Sequence, residues 1–495
     1  YEKYQNKVLS QLTTESSVTA ERGRIYDTNR TVLATNVTTY RVFISPRTIR
    51  EYSEEDGTRY DEIIANGLSG LLDTTYENVM KQTTYTRYLD RTIARQVDEQ
   101  TAAQVEEFID KYRLNNMVFL QAGSKRYYPH GTLACHVLGF TTSDGGGAYG
   151  LELQYDSLLS GTSGRYITAR DSHGNEMPYE YQSYIRASDG HSIVTTLDVY
   201  VQSVLEEQLS TAYIESGGQS RACGIVIDVE TGGILGMATY PSFDLNDPRT
   251  LNADSQSKLN ASGYAAGTEA YLKLKQELQL TTWANKSITE AYMPGSTFKI
   301  VTASMAYEEN LVSAGETFYC PKVGGRTIHC HKIAGHGSLT FAQGLQQSCN
   351  PILMMMGLRI GQERFYNYFR SFGYLEKTGV DLPGEGVSIF YKPENFKEID
   401  LATASFGQNF KITPLQQIMA VTTVASGGYL LTPHLLKEEL DSNGNVVKSY
   451  ETNVRRQVIS TDTATQLAKI LEEGVSGNGG AKNAYVAGYR VAAKT

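Results

Sequence analysis

The sequence predicts an α+β protein with a β-rich N-terminal unit, residues 1–195, and a second unit, residues 196–495, in which helices pack on a sheet. Three observations predict it. A chain of 495 residues exceeds what one ordinary core accommodates. Up to about residue 195 the chain runs in short alternating segments broken by turns, and beyond it an apolar hairpin is followed by long helical periodicities.

Taken in order, the chain opens at Tyr1-Glu2-Lys3-Tyr4 on a polar run that reads as helix and lacks the apolar stretch of a signal peptide. Tyr40 to Ile44 alternates as a strand does, Thr101 to Lys111 carries helical spacing, and Asp144-Gly145-Gly146-Gly147 is a turn. Asp189-Gly190-His191 marks entry to the second unit, with an extended run from Ile193 to Asp198 and a helix from Val199 to Tyr213. Gly224 to Asp228 and Ile234 to Ala238, joined through Glu230-Thr231-Gly232-Gly233, form a hairpin. Helical patterns follow at Ser296–Tyr307, Phe341–Ile360 and Leu415–Ser426, and Tyr489–Lys494 reads as a closing edge strand.

Composition narrows the function. The net charge of −9 argues against nucleic acid as a partner, because phosphate binding needs a basic surface. No stretch reaches the roughly 18–20 apolar residues that span a bilayer. Five cysteines in so long a chain exclude a disulfide scaffold, and Cys135, Cys223 and Cys349 read as buried thiols.

The chemistry concentrates in Ser296-Thr297-Phe298-Lys299, directly after Pro294-Gly295. Residues three apart share a helix face. A desolvated lysine there can lose its proton and take that of the serine, and a serine near a helix start sits among unpaired N–H groups that favour developing negative charge. Two further pairs complete the set. Ser348-Cys349-Asn350 places a hydroxyl and an amide one residue apart, with Pro351 favouring a turn, and Lys494-Thr495 offers an ammonium and a hydroxyl to a carboxylate. Ser-x-x-Lys, Ser-x-Asn and Lys-Thr in this order are the motifs of penicillin-binding proteins and serine β-lactamases.

On these motifs the chain resembles the class B penicillin-binding proteins, and the resemblance runs through nearly all of it. Glu21-Arg22-Gly23-Arg24-Ile25-Tyr26-Asp27 looks like that family's opening motif, and Arg126-Tyr127-Tyr128-Pro129 and Gly150-Leu151-Glu152 look like its pedestal motifs. Thr378 to Glu385, Ser405-Phe406-Gly407-Gln408 and Thr413-Pro414-Leu415-Gln416 extend the match. The resemblance implies a pedestal or dimerisation-type domain followed by a serine β-lactamase-like transpeptidase domain, truncated at its C-terminal end. It implies that Ser296 attacks a stem peptide ending in D-Ala-D-Ala, with Lys299 as base and Ser348 relaying a proton to the leaving D-alanine. Asn350 would hold the substrate amide, and Lys494 and Thr495 its terminal carboxylate. β-Lactams would acylate Ser296. A polytopic membrane glycosyltransferase is the implied partner, and the implied location is the extracytoplasmic face of a bacterial membrane, with the family's N-terminal anchor absent from this sequence. No cofactor is implied for catalysis. The glycine that follows Lys-Thr in the family is missing here, so the chain by itself is expected to have little activity. Two rival readings are a β-lactam sensor or hydrolase, for which no deacylating base is identifiable, and an idle scaffold that activates the glycosyltransferase.

A separate cluster lies at Cys320 and at His329-Cys330-His331 to His336. Thiolates and imidazoles on a Gly-rich loop suit tetrahedral zinc, with Cys320, Cys330, His331 and His336 as the expected ligands and Cys349 as a further one if the loop folds back. A Cys320–Cys330 disulfide and free thiols are the alternatives.

Overall fold

The computed structural model describes residues 13–18, 20–169, 183–218, 220–322, 329–477 and 479–495. The helix read at Tyr1-Glu2-Lys3-Tyr4 lies outside them.

Among the described residues the first half contains eight strands: β1 Thr13–Val18, β2 Ile25–Tyr26, β3 Val32–Ile44, β4 Arg91–Val97, β5 Val118–Tyr127, β6 Gly164–Ala169, β7 Ser183–Ile185 and β8 Ser192–Thr195. Between β3 and β5 the chain is more helical than its sequence texture predicts, with α1 Pro46–Asp56, α2 Tyr60–Leu71, α3 Tyr76–Thr83 and α4 Glu99–Tyr112. Caps explain their starts. The side chains of Ser45, Thr75 and Asp98 accept from Thr48, Asn78 and Thr101 N–H groups, and Ile64, Leu68, Val79 and Val105 are fully buried beneath the four helices.

Later strands are β9 Ala222–Ile227, β10 Ile234–Tyr240, β11 Thr317–Cys320, β12 Gly337–Thr340, β13 Tyr429–Leu431, β14 Leu436–Leu440, β15 Val446–Ser449 and β16 Val454–Gln457. Two sheets matter for the rest. β9 and β10 form the antiparallel hairpin expected from sequence, on which α5, Val199–Glu215, packs after the Asp198 side chain caps it. The larger, seven-stranded sheet runs in the order β15-β14-β8-β2-β3-β4, with β5 also on β3. It interleaves distant segments: β8 lies between β2, to which it is parallel, and β14.

Around this frame stands a helical core. α6, Lys299–Glu308, is buried at every position from Lys299 to Ala306, among α7 Phe341–Gln346, α8 Asn350–Ile360, α9 Glu398–Ala404, α10 Pro414–Ala425 and α11 Thr461–Ser476. Phe298 anchors its start against Phe365, Phe369, Tyr374 and Phe410, with ring centroids 4.9–6.0 Å apart. A capping box at Thr413 and Gln416, with Pro414 in the first turn, starts α10.

Two readings are corrected. Phe341–Ile360 is two helices, because Ser348 takes φ +54° and turns the chain so that the Cys349 N–H reaches the Gly344 carbonyl. Pro351 then opens α8, directly after that turn, where its missing N–H costs nothing. Tyr489–Lys494 is not a strand. The Tyr489 N–H turns back onto the Val486 carbonyl just after Gly488 at φ +85°, and no described strand offers this segment a ladder.

Candidate functional site

Ser296 sits in a 3-10 turn, Gly295–Phe298, that runs directly into α6. Gly295 enters that turn at φ +57°, in the left-handed region that glycine tolerates best. The turn aims Ser296 and Lys299 the same way, so that Lys299 Nζ lies 2.9 Å from Ser296 Oγ. Three more oxygens surround the amine: the Ser348 carbonyl at 2.8 Å, Ser348 Oγ at 3.0 Å and Asn350 Oδ1 at 2.7 Å. As an ammonium, Nζ donates to these oxygens; as the neutral amine it keeps two N–H donors and gains a lone pair able to take the proton of the Ser296 hydroxyl.

Electrostatics favour that state. Lys299 is fully buried, and its pKa falls to about 7, first through desolvation and then through the nearby charge of Lys494, against smaller opposing effects of Cys349 and Cys330. Burial also lowers Lys494, to about 8, so its ammonium dominates near neutrality. Lys494 Nζ reaches Ser348 Oγ at 3.0 Å although its segment forms no strand, while Thr495 is exposed and its carbonyl accepts from Lys494 Nζ at 2.5 Å. Ser296, Lys299, Ser348, Asn350 and Lys494 therefore meet at one point, with Thr495 at its rim.

Asn350 is also tied outward, its Nδ2 donating to the His329 carbonyl at 3.3 Å. That bond joins the site to the cysteine cluster. Cys320 Sγ and Cys330 Sγ lie 3.6 and 3.3 Å from His336 Nδ1, and the donor atoms of these three residues and of Cys349 all fall within 4.8 Å of one another. All five cysteines of the chain are free thiols. The four-donor set differs from the expected ligands in one member: Cys349, the further ligand expected if the loop folds back, lies within it, while the exposed His331 stands beside it with Nδ1 3.7 Å from Cys330 Sγ.

Gly407, quoted from sequence only as part of a motif and without a role, approaches the Ser296 turn so closely that its carbonyl accepts the Gly295 N–H at 2.9 Å. A glycine between aromatic and polar residues in Ser405-Phe406-Gly407-Gln408 was the available signal.

Comparison with known proteins gives the following. Residues 222–495 match the family model described as penicillin binding protein transpeptidase domain, and residues 17–195 match that described as penicillin-binding protein dimerisation domain. The chain is 32% identical over 482 residues to stage V sporulation protein D of Bacillus subtilis, covering 96% of this chain and 68% of that protein. It is 26% identical over 481 residues to the peptidoglycan D,D-transpeptidase FtsI of Escherichia coli, covering 97% of this chain and 73% of that one. Penicillin binding protein 2X from Streptococcus thermophilus superposes with a TM-score of 0.69 at 24% identity, over 92% of this chain and 66% of that one, a likeness of fold alone. The chain thus spans about two thirds to three quarters of the length of these relatives.

Proposed function

We infer the chemistry of this site from the family: the chain belongs to the class B penicillin-binding proteins, and it is a serine-type peptidoglycan D,D-transpeptidase. The observation that carries the residue assignments is the fully buried Lys299 amine within 3.0 Å of both the Ser296 and Ser348 hydroxyls.

In the proposed reaction Ser296 O–H gives its proton to the neutral Lys299 Nζ as Oγ attacks the carbonyl of the penultimate D-alanine. The tetrahedral intermediate collapses by breaking the peptide C–N bond. The proton passes from Lys299 through Ser348 Oγ to the departing amine of the terminal D-alanine. An amine from a neighbouring stem peptide then attacks the acyl-serine, and the same proton path runs in reverse to restore Ser296 O–H. Lys494, protonated at neutral pH, and Thr495 hold the carboxylate of the terminal D-alanine. Asn350 binds the substrate amide, for which its Nδ2 exchanges the His329 carbonyl for that of the substrate. A β-lactam enters by the same first step and stays bound because its leaving nitrogen remains tethered to the acyl group.

Residues 1–195 act as the pedestal and 196–495 as the transpeptidase unit in this reading. The pedestal faces a polytopic membrane glycosyltransferase on the extracytoplasmic side. No helix among the described residues is long and apolar enough to cross a membrane.

The reading extends to a structural zinc ion held by Cys320, Cys330, His336 and Cys349. Three thiols and an imidazole are a donor set for structural zinc, and their separations of 3.3 and 3.6 Å match the edge of a tetrahedron with metal–ligand bonds of about 2.0–2.3 Å. Such an ion cross-links the β11–β12 hairpin to the Ser348 turn and takes no part in acyl transfer.

Timed labelling by a fluorescent penicillin tests the assignment. Lasting label that maps to Ser296 is expected. Rapid loss of label would favour a hydrolase, and absence of label from the intact protein an idle scaffold.

A further inference from the structure

Resting on that reading, we propose that Gly407 is a positioning residue that orients the oxyanion-binding N–H of Ser296. The segment 405–412 grips the nucleophile's turn on both sides by backbone alone. Tyr292 and Ile412 exchange N–H to carbonyl bonds of 2.9 and 3.0 Å, and the Gly295 N–H donates to the Gly407 carbonyl at 2.9 Å. The grip is fixed in turn to α6 and α8. Thr302 Oγ1, one turn past Lys299, donates to the Ser405 carbonyl at 2.8 Å, and a Cβ at Gly357 would lie 1.7 Å from Ser405 Oγ.

At Gly407 the fit is closest. A Cβ there would lie 1.9 Å from the Gly295 oxygen, 2.6 Å from its carbonyl carbon and 2.8 Å from its Cα, and φ is +84°. The obstructed atom is the oxygen of the peptide that joins Gly295 to Ser296. In a planar trans peptide the carbonyl and the following N–H point opposite ways. With the Gly295 oxygen packed onto Gly407, the Ser296 N–H is directed to the other side. It is among the first donors of its helical run and has no partner within the run. A carbonyl attacked by Ser296 Oγ develops its negative charge within reach of that N–H. A side chain at 407 therefore turns this peptide plane and with it the donor, leaving Ser296 Oγ and Lys299 with their chemistry intact.

The test resolves β-lactam acylation of the intact protein into binding (Kd) and the acylation step (k2). For Gly407→Ala we expect k2 to fall about 10²–10³-fold, the cost of one lost oxyanion donor. Kd should change by less than about threefold, and the pH midpoint of k2 should stay, because neither the carboxylate contacts nor the lysine changes. Thr302→Val, which removes only the tether to Ser405, should lower k2 by a smaller factor, on the order of threefold to tenfold. Gly428→Ala is the control: its Cβ would meet the Ile459 carbonyl oxygen at 2.0 Å with φ +100°, an equal collision away from the site, and it should lower the melting temperature without slowing k2.

If Gly407→Ala does not fold, Thr302→Val decides. Folded Gly407→Ala or Thr302→Val protein with k2 within about twofold of the parent, or a loss confined to Kd, overturns the proposal. Failure of the parent itself to take label would instead overturn the serine chemistry on which it rests.

Discussion

The protonation state of Lys299 gives the sharpest quantitative test. The amine must be neutral to accept the Ser296 proton, and burial together with Lys494 brings its pKa down from 10.5 to about 7. Only the base form reacts, so the acylation rate is low in acid, rises through neutrality and levels off above it. With a midpoint near 7, about a tenth of the plateau rate remains at pH 6 and about nine tenths is reached at pH 8. Lys494→Gln removes a positive charge that disfavours the ammonium of Lys299. The midpoint should then move to higher pH, while any loss of carboxylate binding lowers the height of the curve without moving it. Lys299→Arg, charged at every accessible pH, should remove the inflection along with the activity. The assay is stopped-flow acylation by a chromogenic β-lactam from pH 5 to 9. A flat profile across neutrality, or a midpoint that falls on Lys494→Gln, refutes the assignment of Lys299 as the base.

Further outcomes are expected. Ser348→Gly deletes the proton relay but suits the φ of +54°, so crosslinking turnover should fall about 10²-fold or more while thermal stability holds or rises. Glu152, fully buried, lies 2.7 Å from both Arg22 Nε and Arg126 Nε, and Glu152→Ala should cost about 3–5 kcal/mol in urea unfolding by stranding two guanidinium groups. Metal analysis of protein purified without added zinc should find one equivalent. Chelation should lower the melting temperature, and Cys349→Ser should lower metal content where His331→Ala does not.

What the sequence discloses here depends on how far apart the interacting residues lie. Ser296 and Lys299 were legible because one helical turn brings them together whatever the rest of the chain does. The β9–β10 hairpin and α5 were legible for the same reason: their pattern and caps are local. The edge strand at Tyr489–Lys494 fails because alternation shows only that a segment can be extended, and a strand also needs a partner. Which side chain gathers with Cys320, Cys330 and His336 was not legible because spacing along a Gly-rich loop does not say what turns inward, whereas the left-handed turn at Ser348 brings in Cys349. The motif around Gly407 was legible but what it touches was not, because that contact lies across more than a hundred residues, backbone against backbone.

The placement of β8 between β2 and β14 has a mechanical consequence. Ile25 and Tyr26 pair with Ile193 and Val194, and Val194 and Ile193 pair in turn with Glu438 and Glu439. A pull or tilt delivered near the start of the chain is therefore carried by transverse ladder bonds into strands some four hundred residues later, with no slack tether between. These regions deform as one plate, and a force applied at the first reaches the second as shear.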